Sequence, residues 1–238
     1  MAELTVRGVG TTWRAVVSAA ALVAVLLLTM GCPRREAARE SGESLPAAAD
    51  LLSAAAAELR AVQTVRFDIS TSGAGEMLGI TGAHGVVTRS GEAEGRARLA
   101  RDVDSPEAEF VAVGDTAYVR VGGGDWRQVP LTTAAAVYDP TALLDPERGL
   151  AHLFATAHDA RTEAYDPARA AYRVRATFDT RALTTLVPGI NEKITGTMWI
   201  GDDRRLPQRI ELPVRNQTGT ITVDFVQFDE PVVIEPPR

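Results

Sequence analysis

Lysine is almost missing from this 238-residue chain. Of 25 basic residues only Lys193 is a lysine, and the rest are arginines. Arginine and alanine are in excess, a pattern that reflects genome composition more readily than chemistry. Acidic residues outnumber basic ones, for a formal charge of −6. Removing residues 1–31 takes away Arg7, Arg14 and Glu3 and leaves about −7. That balance disfavours nucleic acid, whose binding needs a basic footprint.

Cysteine is nearly absent too. Cys32 is the only one, so neither an internal disulfide nor a cysteine metal cluster can form. Histidine is scarce: His84, His152 and His158. His152 and His158 are six apart, off a common helical face, and no H-E-x-x-H is present. Nor is there a G-x-S-x-G elbow, a P-loop or a G-x-G-x-x-G. Carboxylates are plentiful but alternate with arginines, as on a solvated strand face. Asn216-Gln217-Thr218 has glycosylation spacing, a weak match. Trp126 and Trp199 read first as packing residues and second as sugar platforms. A hydrolase would need a nucleophile and a base that these residues do not supply. The sequence therefore predicts no catalytic residue, no metal and no cofactor.

Long apolar runs are also lacking. The longest, Ala15 to Leu28, is fourteen residues. As a helix it would span about 21 Å, short of the roughly 30 Å hydrocarbon core. With Arg7 and Arg14 before it, the run has signal-peptide form. Thr29-Met30-Gly31-Cys32 closes it and looks like a bacterial lipobox, in which the cysteine receives a diacylglyceryl thioether and becomes the new N-terminus. Thr29 stands where a lipobox prefers leucine, and Met30 where it prefers a small residue. The position of the sole cysteine, where the apolar run stops, favours lipidation of Cys32. Residues 1–31 are thus expected to be a signal peptide and 32–46 a lipidated cysteine with its tether. About a dozen flexible residues reach roughly 20 Å.

What the chain has is alternation. From residue 47 to 238 it is expected to form one domain, long enough for a sizeable core. Leu51, Leu52, Ala55, Leu59 and Val62 make one helical face, and Ala54 to Ala57 would allow close approach of another backbone. Val65, Phe67 and Ile69 alternate with Arg66, Asp68 and Ser70, a half-buried strand. Strand-like runs follow at Leu78–Thr88, Ala93–Arg101, Glu107–Val113 and Ala117–Val121, with a return at Trp126–Val129. Glycine-containing turn signals separate them. The period changes between Asp139 and His158. Asp139-Pro140 and Asp145-Pro146 each set a capping carboxylate before a proline, and Leu150, Leu153, Phe154 and Ala157 form one apolar stripe. This predicts a short helix, a kink and a second helix laid on a sheet. Strands then resume. Tyr172, Val174, Ala176 and Phe178 oppose Arg173, Arg175 and Thr177. Asp179 precedes a short helix carrying Leu183, Leu186 and Val187. Three more strands end at Phe228. Ten to twelve strands with three or four helices make a sheet wide enough to curl. Its inward residues are moderate in size, and aromatics are 5% of the chain. The layers either interdigitate to native density or leave a dry gap suited to alkyl chains.

YDPTALLDPERGLAHLF, GTMWI at Gly196–Ile200 and EPVVIEPP at Glu230–Pro237 together resemble the LppX/LprA/LprF/LprG family of actinobacterial lipoproteins. The resemblance runs from about Ala47 to the C-terminus. It implies an α+β fold: a half-barrel antiparallel sheet with helices over its concave face, similar in shape to the LolA and LolB carriers. Between the layers it implies an apolar cavity for acyl chains of lipids and glycolipids. The expected lining is Phe67, Ile69, Leu143, Leu144, Leu150, Leu153, Phe154, Val174, Ala176, Phe178, Leu183, Leu186, Ile210, Val223 and Phe225. The implied function is to carry lipids between membrane layers from the extracytoplasmic face of the cell membrane. Its partners would be a membrane lipid or glycolipid, and an envelope transporter or another lipoprotein. The alternative is a membrane-tethered adaptor or sensor that uses the same fold to grip a protein partner.

Overall fold

Two runs of period-two alternation, one before and one after the central helices, build a single sheet. A computed structural model describes residues 44–100, 107–135, 139–187, 190–214 and 218–238. Cys32, the lipobox and most of the tether lie outside these residues, as do Asn216 and Gln217. The first meander comprises β1 (Thr64–Ser72), β2 (Ile80–Thr88), β3 (Ala93–Leu99), β4 (Glu107–Val113), β5 (Thr116–Val121) and β6 (Arg127–Pro130). The second comprises β7 (His158–Asp166), β8 (Ala171–Phe178), β9 (Ile194–Gly201), β10 (Pro207–Val214) and β11 (Gly219–Phe228). Pairing of β1 with β11 joins them into an eleven-stranded antiparallel sheet, ordered β6-β5-β4-β3-β2-β1-β11-β10-β9-β8-β7. Neighbours in space are neighbours in sequence everywhere except at that seam, where the first and last strands pair, and the consecutive strands β6 and β7 form the two edges.

The helices are α1 (Ala48–Ala61), α2 (Gly75–Leu78), α3 (Leu131–Ala135), α4 (Leu150–Thr156) and α5 (Thr180–Leu186), with a 3-10 helix at Pro140–Leu144. The expected face of α1 is inside, with Leu51, Leu52, Ala55, Leu59 and Val62 all buried. Its small-residue stretch meets α4. Full burial of each large aliphatic side chain contributes about 1.5–3 kcal/mol.

The central stretch departs from the sequence reading in one respect. Asp139 caps the 3-10 helix, accepting from the amide of Thr141 at 3.1 Å. Asp145 accepts from the amides of Glu147 and Arg148, at 2.9 and 3.2 Å. It caps a turn, however, and α4 starts only at Leu150, after Gly149. The reason is local crowding. A β-carbon on Gly149 would lie 2.5 Å from the carbonyl oxygens of Ala142, Leu143 and Asp145, so the chain must pass this point without a side chain. Arg148 straps the segment by donating to Asp145 at 2.9 Å and Asp139 at 3.3 Å. The apolar stripe of α4 packs beside α1, α5 and the 3-10 helix, and its Leu150 and Leu153 face a cleft walled on the other side by the sheet residues Ile210, Val223 and Phe225.

Two further helices were not expected. The strand expected from Leu78 begins at Ile80, because residues 75–78 make one helical turn that Gly79 ends at φ +71°. Leu131–Ala135 forms α3 directly after β6.

Candidate functional site

The concave face of the sheet is built from unusually small residues where the first meander turns inward. Register places Val223, Ile69, Ala83, Ala97 and Ala108 side by side across β11, β1, β2, β3 and β4. One row along, Phe67, Gly85, Gly95, Phe110 and Val119 follow across β1 to β5. The two glycines make room for rings. A β-carbon on Gly95 would lie 2.9 Å from the Phe110 ring, and one on Gly85 would lie 3.4 Å from the ring of Phe67. Each phenyl group therefore lies over backbone, and three alanines leave depth between them.

Helix α5 roofs this depression with Leu186 and Val187 but does not fill it. The result is a compartment of about 340 Å³ walled by Ile69, Ile80, Ala83, Ala97, Leu99, Phe110, Leu186, Val187, Ile221 and Val223 among others. Among the described residues, no charged side chain is part of its wall. A narrow cleft of about 40 Å³ continues from it beneath the central helices, past Leu143, Leu150, Leu153, Leu183, Ile210 and Phe225. An apolar void of this kind has no polar partners to offer water, so it stays dry or takes up an apolar guest.

Ten of the residues expected to line a cavity meet around these two spaces: Phe67, Ile69, Leu143, Leu150, Leu153, Leu183, Leu186, Ile210, Val223 and Phe225. Five do not. Leu144, Phe154, Val174, Ala176 and Phe178 sit in solid core, the last three fully shielded from solvent. Val174 stands beside Met198 and Ala176 beside Gly196, and a β-carbon on Gly196 would lie 3.1 Å from the Phe178 ring. These strands lie near the β7 edge, where α1 presses close, so the layers interdigitate there. The sequence reading did not name Leu78, Ile80, Ala83, Ala97, Leu99, Phe110 or Ile221 as lining. The signal was present: alanine and glycine recur at inward positions of β2 and β3, which is what space beneath a helix requires.

The opposite, convex face is polar. Arg96, His84 and Asp68 stand side by side on β3, β2 and β1. Glu109 takes both guanidinium arms of Arg120, at 2.9 and 2.8 Å. The hydrogen bond from Arg120 holds the Glu109 carboxyl below its usual range against the opposing effect of burial, and the charges of Arg120 and Arg96 add to it. Arg120 also lies 4.6 Å over the Trp126 ring, which gives that tryptophan a structural role. His152 lies on α4 and His158 at the start of β7, so the three histidines are apart.

Similarity to known proteins extends over most of the chain. Over 228 residues the chain is 29% identical to the lipoarabinomannan carrier protein LprG of Mycolicibacterium hassiacum, covering 92% of this chain and 95% of that one. It is 24% identical to LprG of Mycobacterium tuberculosis, over 94% of each chain. Two solved structures share the fold. LprF from Mycobacterium bovis superposes with a TM-score of 0.70 at 22% identity, covering 80% of this chain and 96% of LprF. LppX from Mycobacterium tuberculosis superposes at 0.60 and 18% identity, covering 81% of this chain and all of LppX. The family model for LppX_LprAFG lipoproteins matches residues 47–234. This chain belongs to the LppX_LprAFG lipoprotein family.

Proposed function

We propose that this chain is an envelope lipoprotein that holds acyl chains in the concave compartment and carries them between membrane layers. The observation that carries the reading is the apolar compartment of about 340 Å³, walled among the described residues by aliphatic and phenyl side chains without a charge. Each methylene that leaves water for such a wall gains about 0.8 kcal/mol. A lipid leaving a bilayer forfeits the same amount. A pocket that matches the lost burial makes extraction nearly neutral in free energy, and no covalent step is required. Carriage thus needs neither catalytic residue nor cofactor.

The relatives named as lipoarabinomannan carriers support an acylated glycolipid as the cargo. A diacylglyceryl group on Cys32 would hold the chain at the extracytoplasmic face of the cell membrane. A tether of this length would keep the folded domain beside that membrane. Passing cargo onward then calls for a second acceptor, an envelope transporter or another lipoprotein. The test is transfer of a fluorescent diacyl phospholipid from donor to acceptor vesicles. The chain should accelerate transfer in proportion to its concentration. Binding without transfer would favour a sensor, and neither would remove the carrier reading.

A further inference from the structure

Beyond Phe110 the concave face continues into a second hollow. It has about 470 Å³ and lies between β4–β6 and α3, walled by Ala108, Ala117, Val119, Val129 and Leu131. Phe110 borders both this hollow and the compartment under α5. Its ring, close over Gly95, stands between the two like a post. The chemistry of the second hollow repeats that of the first: among the described residues it has alanine and valine walls, no charged side chain, and only Thr133 bringing a hydroxyl to its lip.

Resting on the carrier reading, we infer that the outer hollow is a separate acyl-chain subsite and that Phe110 is the divider that sets how a lipid sits. One hydrocarbon branch occupies the space under α5 and another the space under α3, with the junction of the lipid astride Phe110. Continuity of the two spaces at one side chain favours a second branch of the same molecule as occupant. A flat protein partner would leave the depth unfilled. The divider also makes the two subsites unequal. The inner one has the roof of Leu186 and Val187, while among the described residues the outer has only the five-residue α3 at its side. The inner branch should therefore be held more tightly and exchange more slowly.

The experiment uses the delipidated full chain with two probes: cis-parinaric acid, which has one chain, and a diacyl phosphatidylcholine. Wild type should bind about two parinarates of unequal affinity or one diacyl lipid, as two apolar pockets require. Val119→Trp fills the outer hollow. It should leave one parinarate, the tighter, and weaken the diacyl lipid at least tenfold. Thr133→Trp fills the same hollow from its exposed lip, where folding is not at stake, and should act alike. Ala97→Trp fills the inner compartment and should leave only the weaker parinarate. Phe110→Ala merges the spaces and should shift preference toward longer single chains. Unchanged stoichiometry and diacyl affinity in both outer variants would overturn the second subsite while leaving the carrier reading intact. Wild type that binds neither probe would overturn the carrier reading, and this inference with it.

Discussion

Arg89 carries the most direct structural prediction. Its guanidinium donates to the carbonyl oxygens of Val62 at 2.6 Å, Leu59 at 2.9 Å and Leu144 at 3.3 Å. The first two lie at the C-terminal end of α1, where helix carbonyls lack intrahelical partners. The third is the last residue of the 3-10 helix that brings Leu143 to the cleft. One side chain thus closes the end of α1 and fixes the cover of the cavity. A hydrogen bond from a charged donor contributes about 1.5–3 kcal/mol. Three such bonds do not add fully, because Arg89 is half-buried and water can reach some of the freed carbonyls. Arg89→Ala should therefore destabilise by about 2–4 kcal/mol, lowering the melting temperature by roughly 4–16 °C for a domain of this size. Arg89→Lys offers a point charge on a single stem and cannot span three carbonyls, so it should recover less than half of the loss. Denaturant unfolding of delipidated protein measures this free of ligand stabilisation. The same variants should bind lipid several-fold more weakly, since Leu143 loses its support. An Arg89→Ala variant within about 0.5 kcal/mol of wild type would refute the reasoning, and would show the guanidinium to be an ordinary surface group.

Four shorter predictions follow from the same geometry. Val174→Trp overpacks solid core at a fully shielded site and should cost about 1–3 kcal/mol or more, with lipid binding falling only in step with the folded fraction. Leu153→Ala, beside an existing cleft, should fall near the low end of the usual 2–5 kcal/mol and shift the preferred chain length, whereas Phe178→Ala should be costlier and leave chain length alone; unfolding curves and lipid profiles separate them. Cys32→Ala should move the protein from the membrane to the soluble fraction, and the intact mass of wild type should exceed that of residues 32–238 by its acyl groups. Burial alone would raise the carboxyls of Asp145 and Asp229, but hydrogen bonds from Arg148 and the amides of Glu147 and Arg148 to the first, and from the Gln63 amide and Arg204 to the second, hold both below the usual range. Their folded pKa values are thus depressed, so their contribution is present above the ordinary value of about 3.9 and is lost as pH falls through the folded values; melting temperature should be level near pH 6 and decline below about pH 4.

The strands were legible because each buries one face, and alternation reports that directly. The Asp139 cap was legible because capping is local. The five residues that lie outside the two spaces show where such reading stops. Val174 and Val223 carry the same signal, a valine alternating with polar neighbours, and both point inward. Val174 lies on β8 beside the β7 edge that α1 touches and is fully shielded, while Val223 borders the space roofed by Leu186 and Val187. Whether an inward side chain meets atoms or space depends on where a distant helix settles, and strand alternation does not encode that distance. Arg89 was invisible for the same reason. Its partners lie 27, 30 and 55 residues away, and in sequence it is one arginine among many. The start of α4 failed for a subtler reason: Asp145-Pro146 is a sound helix opening by local rules, but three carbonyl oxygens converging on Gly149 delay the helix by a turn.

Val223 allows the central claim to be tested at one position. It borders both the compartment and the cleft and is only half-buried, so a tryptophan there has room. Organic extraction of the purified protein followed by mass spectrometry should yield about one acylated lipid per wild-type chain. Val223→Trp should yield several-fold less while the delipidated proteins melt within a few degrees of each other. Wild-type protein that yields no lipid, or equal lipid from both proteins, would contradict the claim that the concave compartment holds the cargo.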